Sequence, residues 1–370
     1  MTTALVLSGG GARAAYQVGV LKALGQLLPR TSHNPFPIIC GTSAGAINAL
    51  AIAGRPGPFR LRTRKLEAIW RNMHAEDIYR TDVWGVLKNT LRLSLSLMHS
   101  GYGIGRSVAL LDNSPLQHLL ENYIRFRHID EAILSGELMA VSTTAMDYVS
   151  GKSVAFFQGS HECWTRSRRH GIRTGLNIDH LMASSAIPLI FPARAIDTRY
   201  YGDGAMRQLK PLSPALHLGA DRIFVIGVSD NPSHDQAIAA PRHSPSVAQM
   251  VGHLLNSAFI DSVESDLETL KAINELVKTR ATPESDVTTE IDQQTAGSPL
   301  KYIDHLCISP STPIDEIAQE YFHELPQSVK LFLRAIGATK KGGGSSATSY
   351  LLFEPGFCRQ LIKLGYADAM

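Results

Sequence analysis

The residues best equipped for chemistry lie in short glycine-rich stretches. Gly41-Thr42-Ser43-Ala44-Gly45 directly follows the apolar run Phe36-Pro37-Ile38-Ile39-Cys40. A G-x-S-x-G sequence between a strand and a helix holds a serine hydroxyl out on a tight turn as a nucleophile. Gly41 and Gly45 permit the turn and a close approach of neighbouring backbone. The N–H of Ala44 would stand at a helix N-terminus, where it can stabilise a developing oxyanion. A second stretch, Gly9-Gly10-Gly11-Ala12-Arg13, follows the apolar run Ala4-Leu5-Val6-Leu7. Read as Gly9-x-Gly11-x-x-Ala14 it fits a loose dinucleotide fingerprint, but that fingerprint needs an acid at the end of the second strand. The second strand here runs into Gly41-Thr42-Ser43 instead. The loop therefore reads as N–H groups pointed at a carbonyl oxygen or a phosphate. An oxyanion donor of this kind is worth roughly 3–4 kcal/mol of barrier. Arg13 either contacts a phosphate, braces the loop or stands solvated at the helix start.

A nucleophilic serine needs a base. Asp203, in Tyr200-Tyr201-Gly202-Asp203-Gly204-Ala205, lies between two glycines and can approach another backbone closely. The D-G pair is equally a common β-turn signal, so the residues alone leave both readings open. There are 14 histidines, none in a motif that nominates it as the base.

Strands and helices must position these groups. Ala4–Ser8 and Phe36–Cys40 read as buried strands. Ala14–Leu28, with Val18, Leu21, Leu24, Leu27 and Leu28 at helical period, and Ala44–Ala53 read as helices. Strand–helix–strand–helix order predicts parallel pairing with right-handed crossovers. Leu61–Met73, Ile178–Ser184, Ile314–Tyr321 and Gln327–Ile336 are expected helices, and Ser246–Lys278 one long helix. Leu138–Thr144, Val154–Phe157, Arg222–Val228 and Ile303–Ile308 are expected strands. Gly85–Met98 reads as a helix, although Leu91, Leu93, Leu95 and Leu97 alternate as in a strand. Its leucines would serve as core, as a flap over a lipid site or as a partner surface. Ser229–Pro245 marks a loop or boundary, and 279–299 is polar and expected to be mobile. Residues 337–348, with Lys340-Lys341-Gly342-Gly343-Gly344-Ser345-Ser346, read as a flexible linker without P-loop spacing.

A hydrophobic share of 44% and a charged share of 19% imply an ordinary core, and 370 residues allow one large α/β domain with an appendage. The net charge of +3 argues against a nucleic-acid partner, which needs a concentrated basic stripe, and leaves a weak preference for anionic surfaces open. Arg166, Arg168, Arg169 and Arg173 form a basic cluster, either a solvated face or a contact for anionic headgroups. Cys40, Cys163, Cys307 and Cys358 have neither C-x-x-C nor zinc-site spacing and are expected to be reduced thiols. The N-terminus lacks a signal-peptide pattern. The apolar stretch Phe36–Ala53 splits into strand plus helix better than it spans a membrane.

Four blocks carry a family likeness: GGGARAAYQVGVL at Gly9–Leu21, GTSAG at Gly41–Gly45, ASSAIPLIFP at Ala183–Pro192 and DGA at Asp203–Ala205. In order and approximate spacing the chain resembles the patatin-like phospholipase family, over about three fifths of its length. The resemblance implies a three-layer α/β/α fold with a mainly parallel central sheet and a mostly helical C-terminal extension. It implies a catalytic region over 1–229 and a C-terminal region over 230–370. Ser43 is then the nucleophile and Asp203 its general base in a Ser–Asp dyad without histidine. Gly9, Gly10, Gly11 and Ala44 supply the oxyanion hole, and Arg13, Gly41, Gly45, Gly204 and Ala205 support the motifs. Neither metal nor cofactor is implied. The implied activity is a serine acyl hydrolase cleaving fatty-acyl esters of phospholipids or lysophospholipids. A soluble carboxylesterase or thioesterase and a non-catalytic lipid-binding module are the rivals. The implied partner is a phospholipid or other acyl-ester lipid, met in the cytoplasm or peripherally at the inner membrane surface; the oligomeric state, a dimer included, stays open. Val86–Met98 and the C-terminal helices are the candidate acyl trench. A carboxylate near its usual pKa of about 4 is a weak base at neutral pH, so burial should raise that of Asp203. One departure from the family pattern is Ala14, which stands where the glycine loop usually ends in glycine.

Overall fold

Every residue from Ala4 to Leu7 in strand β1 (Thr3–Leu7) is apolar and buried, which suits a strand covered on both faces. Leu5 and Leu7 enter one apolar cluster; Ala4 and Val6 enter another on the opposite face. The computed structural model describes residues 1–82, 85, 88–89, 109–229, 244, 246–280, 301–338 and 344–370. Nearly all of Val86–Met98, most of 230–245, and residues 281–299 and 339–343 lie outside the described residues, with the expectations placed on them.

The other strands are β2 (Ile38–Thr42), β3 (Ala140–Asp147), β4 (Ser153–Gly159), β5 (Trp164–Arg166), β6 (Arg169–Arg173), β7 (Arg194–Ile196), β8 (Arg199–Asp203), β9 (Arg222–Ile226) and β10 (Asp304–Ile308). They form one sheet in the order β10-β9-β1-β2-β3-β4-β6-β5, with β8 added to β3 and β7 to β8. From β10 to β3 every pairing is parallel. β3–β4, β3–β8, β5–β6 and β7–β8 are antiparallel. Strand β1 lies between β2 and β9, so the chain leaves it on one side and returns on the other. In open α/β sheets ligands bind outside the carboxyl ends of strands at such a switch point.

Helices α1 (Ala15–Leu27), α2 (Ala44–Ala53) and α3 (Phe59–Trp70) cover one face with the C-terminal helix Pro355–Ala369. The other face is covered by Leu212, Ala215 and Leu218 and by Val263, Leu267 and Leu270 of helix Ser262–Arg280. The arrangement is the three-layer α/β/α fold expected. Each buried leucine or valine side chain there contributes about 1.5–3 kcal/mol. A buried polar chain ties the helices of the first face. Trp70 Nε1 donates to Asn48 Oδ1 at 2.8 Å, and Asn48 Nδ2 donates to Gln17 Oε1 at 3.0 Å.

Several elements differ from expectation. The long helix over 246–278 is interrupted by a π turn at Ser257–Asp261 that buries Phe259 and Ile260. Ser345–Thr348 are not linker but the start of helix Ser345–Leu351, which packs on the glycine loop. Helices Ser114–Tyr123 and Arg127–Leu134 and the β5–β6 and β7–β8 hairpins were not expected. The C-terminal region shares the sheet through β10 and the core through Pro355–Ala369, whose Gly365 would place a Cβ 2.1 Å from the Tyr16 carbonyl. Arg173 lies at the far end of β6 from Arg169, so the four-arginine cluster divides.

Candidate active site

Strand β3 brings Ser43 and Asp203 together. Thr42 at the end of β2 pairs with Thr144, and Asp203 at the end of β8 pairs with Ala145, the next residue of β3. Ser43 follows Thr42 on a turn with φ 55° and ψ −129°, and is 2% exposed. A non-glycine residue held there stores strain, as nucleophile turns do. Gly45 shows why the turn is built as it is: a Cβ there would lie 2.3 Å from the Leu7 carbonyl oxygen and 2.4 Å from that of Ser8. Only glycine lets α2 start so close to the end of β1. The Ser43 N–H donates to Ser184 Oγ at 2.9 Å, and Ser184 Oγ donates to the Thr144 carbonyl at 2.6 Å. Ser184 thus clips the turn to β3. It stands in the ASSAIPLIFP block, but nothing in the residue pattern singles it out.

Asp203 is fully buried. Its Oδ1 accepts from the Ala205 N–H at 2.9 Å, and its own N–H donates to the Ala186 carbonyl at 2.8 Å. A Cβ on Gly204 would lie 2.2 Å from the Thr144 carbonyl oxygen, so glycine is required for β8 to pass β3 here. Among the described residues Oδ2 makes no aligned hydrogen bond. Burial pushes the Asp203 carboxyl up to about 7, with the Ser43 hydroxyl and the Ala205 N–H pulling it part of the way back. The Ser43 hydroxyl therefore interacts with this carboxyl without the geometry of a full hydrogen bond. Catalytic hydrogen bonds are often loose until substrate binds.

The glycine loop lies against the serine. A Cβ on Gly9 would stand 3.1 Å from Ser43 Cβ, and one on Gly10 would stand 2.6 Å from Val228 Cγ2. Gly11 has φ +55° and faces the Tyr350 carbonyl oxygen, 2.2 Å from where its Cβ would be. Arg13 is 1% exposed, which removes the solvated reading. Its Nε donates to Ser349 Oγ at 2.7 Å, its Nη2 pairs with Asp315 at 2.5 Å, and its guanidinium lies 4.3 Å from the centre of the Tyr350 ring. Arg13 therefore braces the loop to the C-terminal region. Ala14 is fully buried and its carbonyl accepts from Asn48 Nδ2 at 3.1 Å, so it serves helix packing and does not face the site.

Gly11, Ser43 and Ala44 open onto an apolar cavity of about 650 Å³, part of it open to solvent. Its walls come from Leu66, Ile69, Trp70 and Met73, from Leu116, Leu119, Leu120 and Tyr123, and from Ile187, Phe191, Tyr350 and Phe353. Among the described residues no histidine lines it. Ser185 also lines it, and among the described residues the buried Ser185 Oγ has no hydrogen-bond partner. The C-terminal region contributes Tyr350 and Phe353 to the cavity wall. The walls from α3 and Ser114–Tyr123 were missed. Both carry the spacing i, i+3, i+4, i+7, which reads equally well as ordinary core.

The arrangement offers a strained serine beside a buried carboxyl of raised pKa, backbone N–H groups from a glycine loop and a helix start, and an apolar cavity. Those parts can carry acyl transfer from an ester with an apolar acyl chain. Among the described residues no three His, Cys, Asp or Glu side chains converge as a metal site. None of the helices described is long and apolar enough to cross a membrane.

A family profile for patatin-like phospholipases matches residues 5–216. The calcium-independent phospholipase A2-gamma of Rattus norvegicus is 26% identical over 216 residues, covering 58% of this chain and 25% of that protein. A cGAMP-activated phospholipase of Pseudomonas aeruginosa is 27% identical over 203 residues, covering 55% of this chain and 52% of that protein. The chain thus spans between a quarter and about half the length of these curated relatives. Human GIVD cytosolic phospholipase A2 in complex with methyl gamma-linolenyl fluorophosphonate aligns over 100% of this chain and 57% of its own, at 13% identity and a TM-score of 0.43.

Proposed function

The chain belongs to the patatin-like phospholipase family, and from that premise we propose that it is a serine acyl hydrolase acting on fatty-acyl esters of phospholipids or lysophospholipids. The observation that carries this reading is the meeting of Ser43 and a buried Asp203, whose carboxyl is pushed up to about 7, beside the apolar cavity. A base with a pKa near the working pH combines a useful ionised fraction with a real affinity for the proton.

Ser43 Oγ attacks the ester carbonyl carbon while its proton passes to Asp203. The negative charge on the former carbonyl oxygen is taken by the N–H groups of Gly10, Gly11 and Ala44. Collapse breaks the bond to the alkoxy oxygen, which leaves with the proton held by Asp203. Water then attacks the acyl-serine, gives its proton to Asp203, and the carboxylic acid departs as Ser43 recovers its hydrogen. The cavity holds the acyl chain, which excludes water from the reacting carbonyl and strengthens each charge interaction there. Arg13 keeps the glycine loop in register with the serine. The site is proposed to meet its lipid peripherally at a membrane surface.

Fluorophosphonate labelling and product analysis on a phospholipid with two different acyl chains test the reading. Wild type should label and release one fatty acid in excess, and Ser43→Ala should do neither. Labelling that persists in Ser43→Ala would reject the serine assignment. Turnover of short-chain nitrophenyl or thioester substrates without any turnover of phospholipid would reject the lipid assignment and favour a soluble esterase.

A further inference from the structure

Strand β2 delivers Ser43 to one end of the sheet, and three hairpin turns leave that same end beside it. The β3–β4 turn carries Tyr148, Val149 and Lys152, the β5–β6 turn Arg166, Arg168 and Arg169, and the β7–β8 turn leads to Arg199 and Tyr200. The chain after Asp203 adds Arg207. These are parts of one surface. The Tyr148 N–H donates to the Tyr200 carbonyl at 3.1 Å, the Ser153 N–H to the Arg168 carbonyl at 3.0 Å, and Arg207 Nε to the Gly151 carbonyl at 2.8 Å. Tyr148 is four residues along β3 from Thr144, the partner of Thr42, so the tips reach about 13 Å beyond the serine turn.

The charge on this edge is lopsided. It holds six cations, Lys152, Arg166, Arg168, Arg169, Arg199 and Arg207, against the acids Asp147 and Asp197 on the turns. That excess of four exceeds the net charge of the whole chain, +3. Arg199 pairs with Asp147 at 2.7 Å. Among the described residues the other five cations make no ion pair. Their field reaches inward: burial first, and then Arg166 and Arg169, hold His217 down to about 4. Apolar and aromatic tips stand among the cations, with Val149 73% and Tyr200 54% exposed, while the Tyr148 ring folds back against Gly202. Exposed aromatics set among lysines and arginines suit the headgroup level of a bilayer, where apolar rings and phosphates lie at one depth.

We infer that this edge is the surface by which the protein docks on an anionic lipid bilayer, with Val149 and Tyr200 among the headgroups and the cations against lipid phosphates. The inference deepens the lipid hydrolase reading, and rests on it for the sense of the orientation: docking here turns the Ser43–Asp203 end of the sheet toward the membrane. A nucleic acid fits less well, because the charge forms a small patch and not a stripe and the most exposed tip is a valine.

The test is flotation of the full chain with phosphatidylcholine vesicles, with and without phosphatidylglycerol, at low and high salt. Hydrolysis of a soluble short-chain nitrophenyl ester is measured on the same preparations. Wild type should partition onto the anionic vesicles, and salt should weaken that partitioning. A basic residue near an anionic surface contributes about fivefold to partitioning, so Lys152→Gln, Arg166→Gln and Arg168→Gln together should lower it about a hundredfold. The triple variant should keep the wild-type rate on the soluble ester, which also shows that it folds. Val149→Asp should lower partitioning with the same unchanged ester rate. Equal binding by the triple variant and wild type, equal binding of wild type to neutral and anionic vesicles, or retention on duplex DNA in place of vesicles would each overturn the inference. A wild type that binds anionic vesicles but turns over no ester would leave the surface standing and reject the hydrolase reading instead.

Discussion

Asp203→Asn should make the protein more stable and abolish its turnover, and both effects should depend on pH. Burial places the folded-state pKa of Asp203 at about 7, against the ordinary carboxylate value of 3.8. The interior thus favours the neutral acid. The contribution of this group to stability is fully present below about pH 4 and is lost as pH rises through about 7. A difference of about three pKa units corresponds to about 4 kcal/mol between its two protonation states. Asparagine has the shape of the neutral acid, and its carbonyl oxygen can still accept from the Ala205 N–H. The variant escapes the cost of ionisation, so its melting temperature should exceed that of wild type by about 5 °C at pH 8 and match it near pH 4. Asparagine cannot take the proton of Ser43, and loss of a general base lowers turnover about 10²–10⁴-fold. In wild type, kcat/KM on a soluble ester should rise with pH, with a midpoint near 7, and then level off. Scanning calorimetry and ester hydrolysis across pH 4 to 9 measure both. A stability gap that does not change with pH, or a wild-type rate that is flat through pH 7, would refute the placement of a buried, proton-accepting carboxyl at residue 203.

Asp315→Ala leaves the Arg13 guanidinium, 1% exposed, without its charge partner. It should cost about 3 kcal/mol in urea unfolding, and slow fluorophosphonate labelling of Ser43 because the glycine loop loses its brace; Asp315→Glu should recover most of both. Ile69→Trp adds bulk to the cavity wall. It should lower kcat/KM on long-chain esters by about tenfold or more while sparing short-chain esters, as read from a series of nitrophenyl esters.

What could be read from the sequence depended on whether a residue's role was local. Gly41–Gly45 and Gly9–Gly11 are legible because a turn that lets α2 start against the carbonyls of Leu7 and Ser8 admits few residues. Asp203 was ambiguous on its own terms, since a D-G pair serves a turn as well as a catalytic strand end. Its setting depends on β8 meeting β3 from far along the chain. The cavity walls were hidden for a different reason. Leu66, Ile69, Trp70 and Met73 form a helical stripe like any core stripe, and only tertiary placement opposite Ser43 makes it a wall. The run 340–346 suggested a linker because glycine and serine dominate it. Ser345 and Ser346 nevertheless become helical, and the Ser346 hydroxyl donates to Asp315. The β5–β6 hairpin is short and mostly exposed, so it lacks the alternation that marks a strand.

The bond between Arg13 and Asp315 also has a meaning in time. Arg13 is synthesised more than three hundred residues before its partners Asp315, Ser349 and Tyr350. A nascent chain can already have made Ser43 and Asp203 and still lack the wall and brace supplied by the helix Ser345–Leu351. The proposed site is then complete in its walls and its brace only once residue 350 has been made.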